Sequence, residues 1–112
     1  LPRLIGTSQA LELLYSGEFI SATEAYELKF ISGVYEPKDL ERKTKKLTDS
    51  VLMGSPFSHR RIKSLVYKGL GSEVGEHMAR HSSALGECFK SKDHKEGVAS
   101  FLERRSPRFK GN

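Results

Sequence analysis

Few residues in this chain of 112 amino acids could do chemistry, and each has a plainer reading beside it. His77 and His81 are spaced i, i+4, as in a helical metal site. A zinc-protease helix needs Glu directly after the first histidine to act as base, and Met78 stands there. His81 lies on an apolar stripe, which favours a packed or partly buried histidine. Cys88 could serve as a nucleophile only with a histidine base beside it. Its place on an apolar face, next to Phe89, reads as core. Glu12, Glu18, Glu24 and Glu27 fall at polar helix or loop positions, with no sign of a shared pocket. No catalytic residue and no metal ligand is therefore assigned.

Phe101 and Arg104 are three residues apart, which makes them neighbours on a helix. A phenylalanine ring offers a stacking face for a base, and a guanidinium is a forked cation suited to phosphate. On the residues alone, Phe101 reads as core and Arg104 as surface. The basic stretches at 38–46 and 60–68 could meet nucleic acid, but no helix-turn-helix, zinc or RNA-binding signature accompanies them. They read as solvated helix faces, and no nucleic-acid partner is expected.

The elements that carry these residues are helical. Residues 8–16 place Ala10, Leu11, Leu13 and Leu14 on a wide apolar face that ends at Gly17. Ser21 and Glu24 form a capping box, so a short helix to about Leu28 follows. Phe30, Ile31, Val34 and Tyr35 read as one short extended segment near 30–35, too little for a sheet of its own. Pro37 opens a helix with the stripe Leu40, Thr44, Leu47 and Val51, ended by Gly54. Ser55 and Pro56 open another, with Ile62, Leu65 and Val66 inside, and Gly69 and Gly71 break it. Residues 73–90 carry Val74, Met78, His81, Leu85, Cys88 and Phe89 on one face. Asp93 and Glu96 resemble a second capping pair, Val98, Phe101 and Leu102 form the last apolar face, and Pro107 stops it. The fold class is mainly α, in one domain over residues 1–112.

Composition narrows the partners. Hydrophobic residues make up 37% of the chain, low for a self-contained core. The net charge of +5 is uneven: residues 38–70 hold net +6 and residues 90–112 net +4. An anionic partner follows from charge alone. The one cysteine has no internal disulfide partner, which suits a reducing compartment. No apolar run is long enough to span a membrane. The chain begins at Leu1 rather than Met, so further sequence upstream is expected.

One run is Leu1-Pro2-Arg3-Leu4-Ile5-Gly6, continued by Ala10-Leu11-Glu12-Leu13-Leu14, Gly17 and Ile20-Ser21-Ala22-Thr23-Glu24-Ala25. A second is Asp93, Glu96-Gly97, Phe101, Glu103-Arg104-Arg105, Pro107, Phe109 and Gly111. In this order the two runs resemble the crotonase superfamily, the enoyl-CoA hydratase/isomerase family. The chain departs from the family pattern at Lys29, where the usual Gly suits a left-handed helix end; either Lys29 takes that conformation at a cost of about 1–2 kcal/mol or the turn differs.

The resemblance implies the C-terminal helical module of the crotonase fold, with the catalytic sheet core upstream. It implies acyl-CoA metabolism, namely hydration or a double-bond shift of an enoyl-CoA thioester. The oxyanion amides and acid/base glutamates of the family precede the position of Leu1, so none is carried over, and the chain alone is expected to be inactive. No tightly bound cofactor is implied, and the acyl-CoA thioester enters as substrate. The implied partners are the chain's own N-terminal core and further copies, as a trimer or hexamer. The implied location is intracellular: cytoplasm in a bacterium, mitochondrial matrix in a eukaryote. Phe101 and Arg104 match family positions that contact the adenine end of CoA. The alternative is a non-catalytic assembly domain. An oxyanion loop and an acidic residue upstream would separate the two.

Overall fold

The structure, a computed structural model, describes residues 1–112. Seven helices hold 70% of them, and there is no strand. They are α1 (Pro2–Ile5), α2 (Thr7–Ser16), α3 (Ala22–Glu27), α4 (Pro37–Leu52), α5 (Pro56–Gly69), α6 (Val74–Lys90) and α7 (Lys92–Leu102). The single turn α1 is too short to show an apolar period, and the sequence reading misses it. Two compact units are present, Leu1–Lys46 and Leu47–Asn112.

In the first unit, Gly17 takes the left-handed conformation (φ 64°) and closes α2, its amide donating to the Leu13 carbonyl at 3.2 Å. Both halves of the Ser21–Glu24 capping box form, and they start α3. Lys29 then adopts φ 61°, the left-handed position expected where the family pattern has Gly. Its amide donates to the Tyr26 carbonyl, and the Phe30 amide reaches back to the Ala25 carbonyl at 2.9 Å. That pair of bonds is a Schellman closure. Residues 30–36 are bends and irregular backbone, because no second strand is present for a ladder.

In the second unit, α5, α6 and α7 pack in sequence order. Pro56 stands in the first turn of α5, and Ser55 caps it by accepting from the Ser58 amide at 3.2 Å. Ser91 serves both sides of the next corner. Its hydroxyl donates to the Cys88 carbonyl, closing α6, and accepts from the His94 amide, opening α7. Asp93 and Glu96 are therefore not the cap of α7. Arg104, not Pro107, ends that helix. It takes φ 52°, its amide donates to the Phe101 carbonyl at 3.2 Å, and the Arg105 amide donates to the Ser100 carbonyl at 3.0 Å.

The buried apolar residues are three alanines, Ala10, Ala25 and Ala84. The stripes that set the helical periods are largely uncovered. Leu40, Leu47, Val51, Ile62, Val66 and Val74 are all exposed, although Leu65 is half-buried. Amphipathic helices gain most of their stability by burying such faces, and within these 112 residues that burial is largely unmade.

Candidate functional site

Phe101 and Arg104 sit at the end of α7, but not as one helical step. Phe101 is in the helix, 82% exposed, and Arg104 lies two residues past its last helical position. The link between them is the Arg104 amide to Phe101 carbonyl bond. Arg104 is exposed and takes no part in the ion pairs that hold its neighbour Arg105. A left-handed backbone is costly for a residue with a Cβ, by about 1–3 kcal/mol. It persists where the surroundings fix it.

Those surroundings are two carboxylates on α7 that grip the chain end. Asp93 is 2% exposed. It accepts the Ser55 hydroxyl at 2.6 Å and the amides of Lys110 and Gly111 at 2.8 and 3.0 Å. Its own amide donates to the Asn112 carbonyl. Gly111, at φ 80°, supplies the left-handed turn that aims successive amides at one carboxylate. Desolvation pushes the Asp93 carboxyl upward, but bonds from Ser55 and from the Lys110, Gly111 and Phe57 amides outweigh it and hold it below the usual range. One buried carboxylate thus ties α7, the start of α5 and the tail. Arg60 adds a bond to the Gly111 carbonyl.

One turn later, Glu96 takes Arg105 in a fork, Nη1 to Oε1 at 2.5 Å and Nη2 to Oε2 at 3.0 Å. It also accepts the Arg108 amide at 2.7 Å. The Arg105 bonds, with the Arg108 amide, hold the Glu96 carboxyl down at about 2. Arg105 is raised by Glu96 and then by Glu103, whose carboxylate meets its Nε at 2.6 Å. The tail so held lays the Phe109 ring over Gly97. Ser55, Cys88, Phe89, Gly97, Phe101 and Phe109 are among the walls of an open, largely apolar groove of about 480 Å³.

The remaining candidates do not converge on chemistry. His77 rests against Gly69, where an added Cβ would stand 2.7 Å from the ring, and its Nδ1 has no hydrogen-bond partner. His81 is exposed, not packed, and lines a depression with Ile62 and Leu65 of α5. No group of three His, Cys, Asp or Glu side chains is placed to hold a metal ion. Cys88 is half-buried, with the Ser58 hydroxyl 3.8 Å from its sulfur. Glu12, Glu18, Glu24 and Glu27 do share one depression of about 330 Å³, contrary to the sequence reading. All four are solvent-exposed there. Glu24 is committed to its cap, and bonds with Ser21 hold its carboxyl low, which weakens it as a base. The chain also has no helix long and apolar enough to cross a membrane.

Known proteins share this arrangement. A family model described as enoyl-CoA hydratase/isomerase matches residues 1–112. A probable enoyl-CoA hydratase of Bacillus subtilis is 38% identical over 112 residues, covering 99% of this chain and 43% of the relative. The crotonyl-CoA hydratase of Syntrophomonas wolfei is 33% identical over 109 residues, covering 97% of this chain and 42% of the relative. The crystal structure of an enoyl-CoA hydratase from Bacillus anthracis superimposes with a TM-score of 0.90 at 32% identity, covering 99% of this chain and 43% of that one. This chain thus spans about two fifths of the length of these relatives. The family model spans the whole chain and the helical architecture superimposes on a solved member, so the chain belongs to the enoyl-CoA hydratase/isomerase family of the crotonase superfamily.

Proposed function

We propose that this chain is the C-terminal helical part of an acyl-CoA enzyme that hydrates an enoyl-CoA thioester or shifts its double bond. The reacting groups sit on a core that the helices cover. The helices pack on that core and on neighbouring copies, and the end of α7 meets the nucleotide end of CoA. The observation that carries the reading is the exposed pair at the end of α7. Phe101 presents a ring to solvent, and Arg104, free of the ion pairs around it, follows in a fixed turn. Stacking and a forked cation suit adenine and phosphate. The uncovered faces of α4, α5 and α6 support the packing role.

The test compares two purified proteins with crotonyl-CoA: the enzyme that carries this segment behind its core, and the 112 residues alone. The reading expects hydration or isomerisation by the first and none by the second. An inactive complete protein would support the assembly-domain alternative. Turnover by the 112 residues alone would overturn the assignment of the chemistry to the core.

A further inference from the structure

Arg104 holds a backbone conformation that its side chain disfavours, between a helix end and a clamped neighbour. On one side are the Schellman bonds of α7, Arg104 amide to Phe101 carbonyl and Arg105 amide to Ser100 carbonyl. On the other is the Glu96 fork on Arg105, reinforced by Glu103. Glu96 also takes the Arg108 amide, so the stretch of chain leaving Arg104 is fixed at two points, Arg105 and Arg108, three residues apart. Glu96 is partly shielded, with side-chain exposure of 24%, and the Arg105 guanidinium is 36% exposed. Bidentate pairs give geometry as well as energy, because a fork fixes both the direction and the plane of the guanidinium.

We infer that Glu96 is a positioning residue: through its fork on Arg105 it holds Arg104 in the left-handed turn from which that arginine meets the phosphates of CoA. The inference rests on the proposed role of Arg104 and adds a second residue that acts through it. Glu96 itself touches no part of the substrate. With the fork broken, the Schellman bonds alone hold Arg at a left-handed position, and the turn is freer to visit conformations that Arg prefers. The guanidinium is then no longer preset, and ordering it on binding weakens the contact.

The experiment is a double-mutant cycle of Glu96→Gln and Arg104→Ala in the complete enzyme. Each protein is assayed with an enoyl-CoA and with the matching enoyl-pantetheine, which lacks the nucleotide. Glu96→Gln is expected to raise KM for the CoA substrate about three- to tenfold, leave its kcat within about twofold, and leave the pantetheine substrate unchanged. Added to Arg104→Ala it is expected to raise KM no further, although its effect on stability remains. A merely structural Glu96 would affect both substrates or add to Arg104→Ala, and either result overturns the inference. If Arg104→Ala is CoA-selective and Glu96→Gln is silent, the positioning role fails while the site stands. If Arg104→Ala is silent on both substrates, the site itself fails. Should Glu96→Gln not fold, Arg105→Lys keeps the charge and removes the fork. It is expected to give the same CoA-selective rise, and its absence overturns the inference equally.

Discussion

The Glu96 carboxylate and the Arg105 guanidinium meet in a two-bond fork across nine residues, at 2.5 and 3.0 Å. Glu96 belongs to α7 and Arg105 to the tail, so the pair turns a chain end into a fixed part of the domain.

That pair has a signature in acid. The Glu96 carboxyl is depressed to about 2 in the folded protein, against roughly 4.3 for a free glutamate. A depressed carboxyl contributes stability that is complete above its unfolded value and is lost as pH falls toward its folded one. The contribution of Glu96 is therefore expected to fade between about pH 4.3 and pH 2. Carbon-13 titration of the Glu96 carboxyl should show a midpoint near 2. Arg105→Ala should return it toward the ordinary glutamate range, and an unmoved midpoint would deny that Arg105 is the cause.

Asp93 should matter more to folding than Glu96 because it is buried. Asp93→Ala leaves the Ser55 hydroxyl and the Lys110 and Gly111 amides without their acceptor. Leaving buried donors unsatisfied costs about 1–3 kcal/mol each, and release of the tail limits the total to about 2–4 kcal/mol. The check is chemical denaturation together with amide exchange. Faster exchange at Lys110 and Gly111 is expected, and unchanged protection there would mean that the tail is held by something else.

Lys29 offers a test in the opposite direction. At φ 61° it occupies a position that glycine fills without a Cβ penalty. Lys29→Gly should stabilise the chain by about 0.5–1 kcal/mol, after loss of the Lys29–Tyr26 cation–π contact at 5.1 Å. Lys29→Ala keeps the penalty and loses the contact, so it should not stabilise. The denaturation midpoints of the two variants decide, and equal midpoints would count against backbone strain as the cause.

Local chemistry was legible in the sequence, and long-range fastening was not. The Ser21–Glu24 box, the stop at Gly17 and the openings at Pro37 and Pro56 each depend on residues within a few positions, whereas the family pattern leaves the turn at Lys29 open between two conformations. Asp93 and Glu96 have the i, i+3 spacing of a capping pair, so they read as local. Their partners are Ser55, 38 residues away, and the tail amides, 12 to 18 residues away. No period in the sequence announces such contacts. The apolar face through Phe101 and Leu102 allows a helix to continue to Arg104, although the helix ends at Leu102. The only local warning was Pro107, which requires a helix to end ahead of it but does not say where. His81 shares its stripe with apolar residues, yet it stays exposed while lining a depression with Ile62 and Leu65 of α5.

The exposed faces imply association. With Leu40, Leu47, Ile62, Val66, Val74 and Met78 uncovered, the isolated 112 residues are expected to form dimers or larger species at micromolar concentration. Light scattering at increasing concentration checks this, and a thermally robust monomer would show that the helices suffice as a core.

In the proposed function, this helical segment serves an acyl-CoA enzyme by holding the nucleotide end of its substrate. Arg104→Ala in the complete enzyme tests it most directly, with KM and kcat measured on an enoyl-CoA and on the matching enoyl-pantetheine. Loss of a charge-assisted contact of about 1.5–3 kcal/mol, reduced where solvent screens it, should raise KM for the CoA substrate about tenfold. The kcat should change little, because the group stands far from the thioester, and the pantetheine substrate should be unaffected. An equal effect on both substrates, or none on either, would contradict the claim.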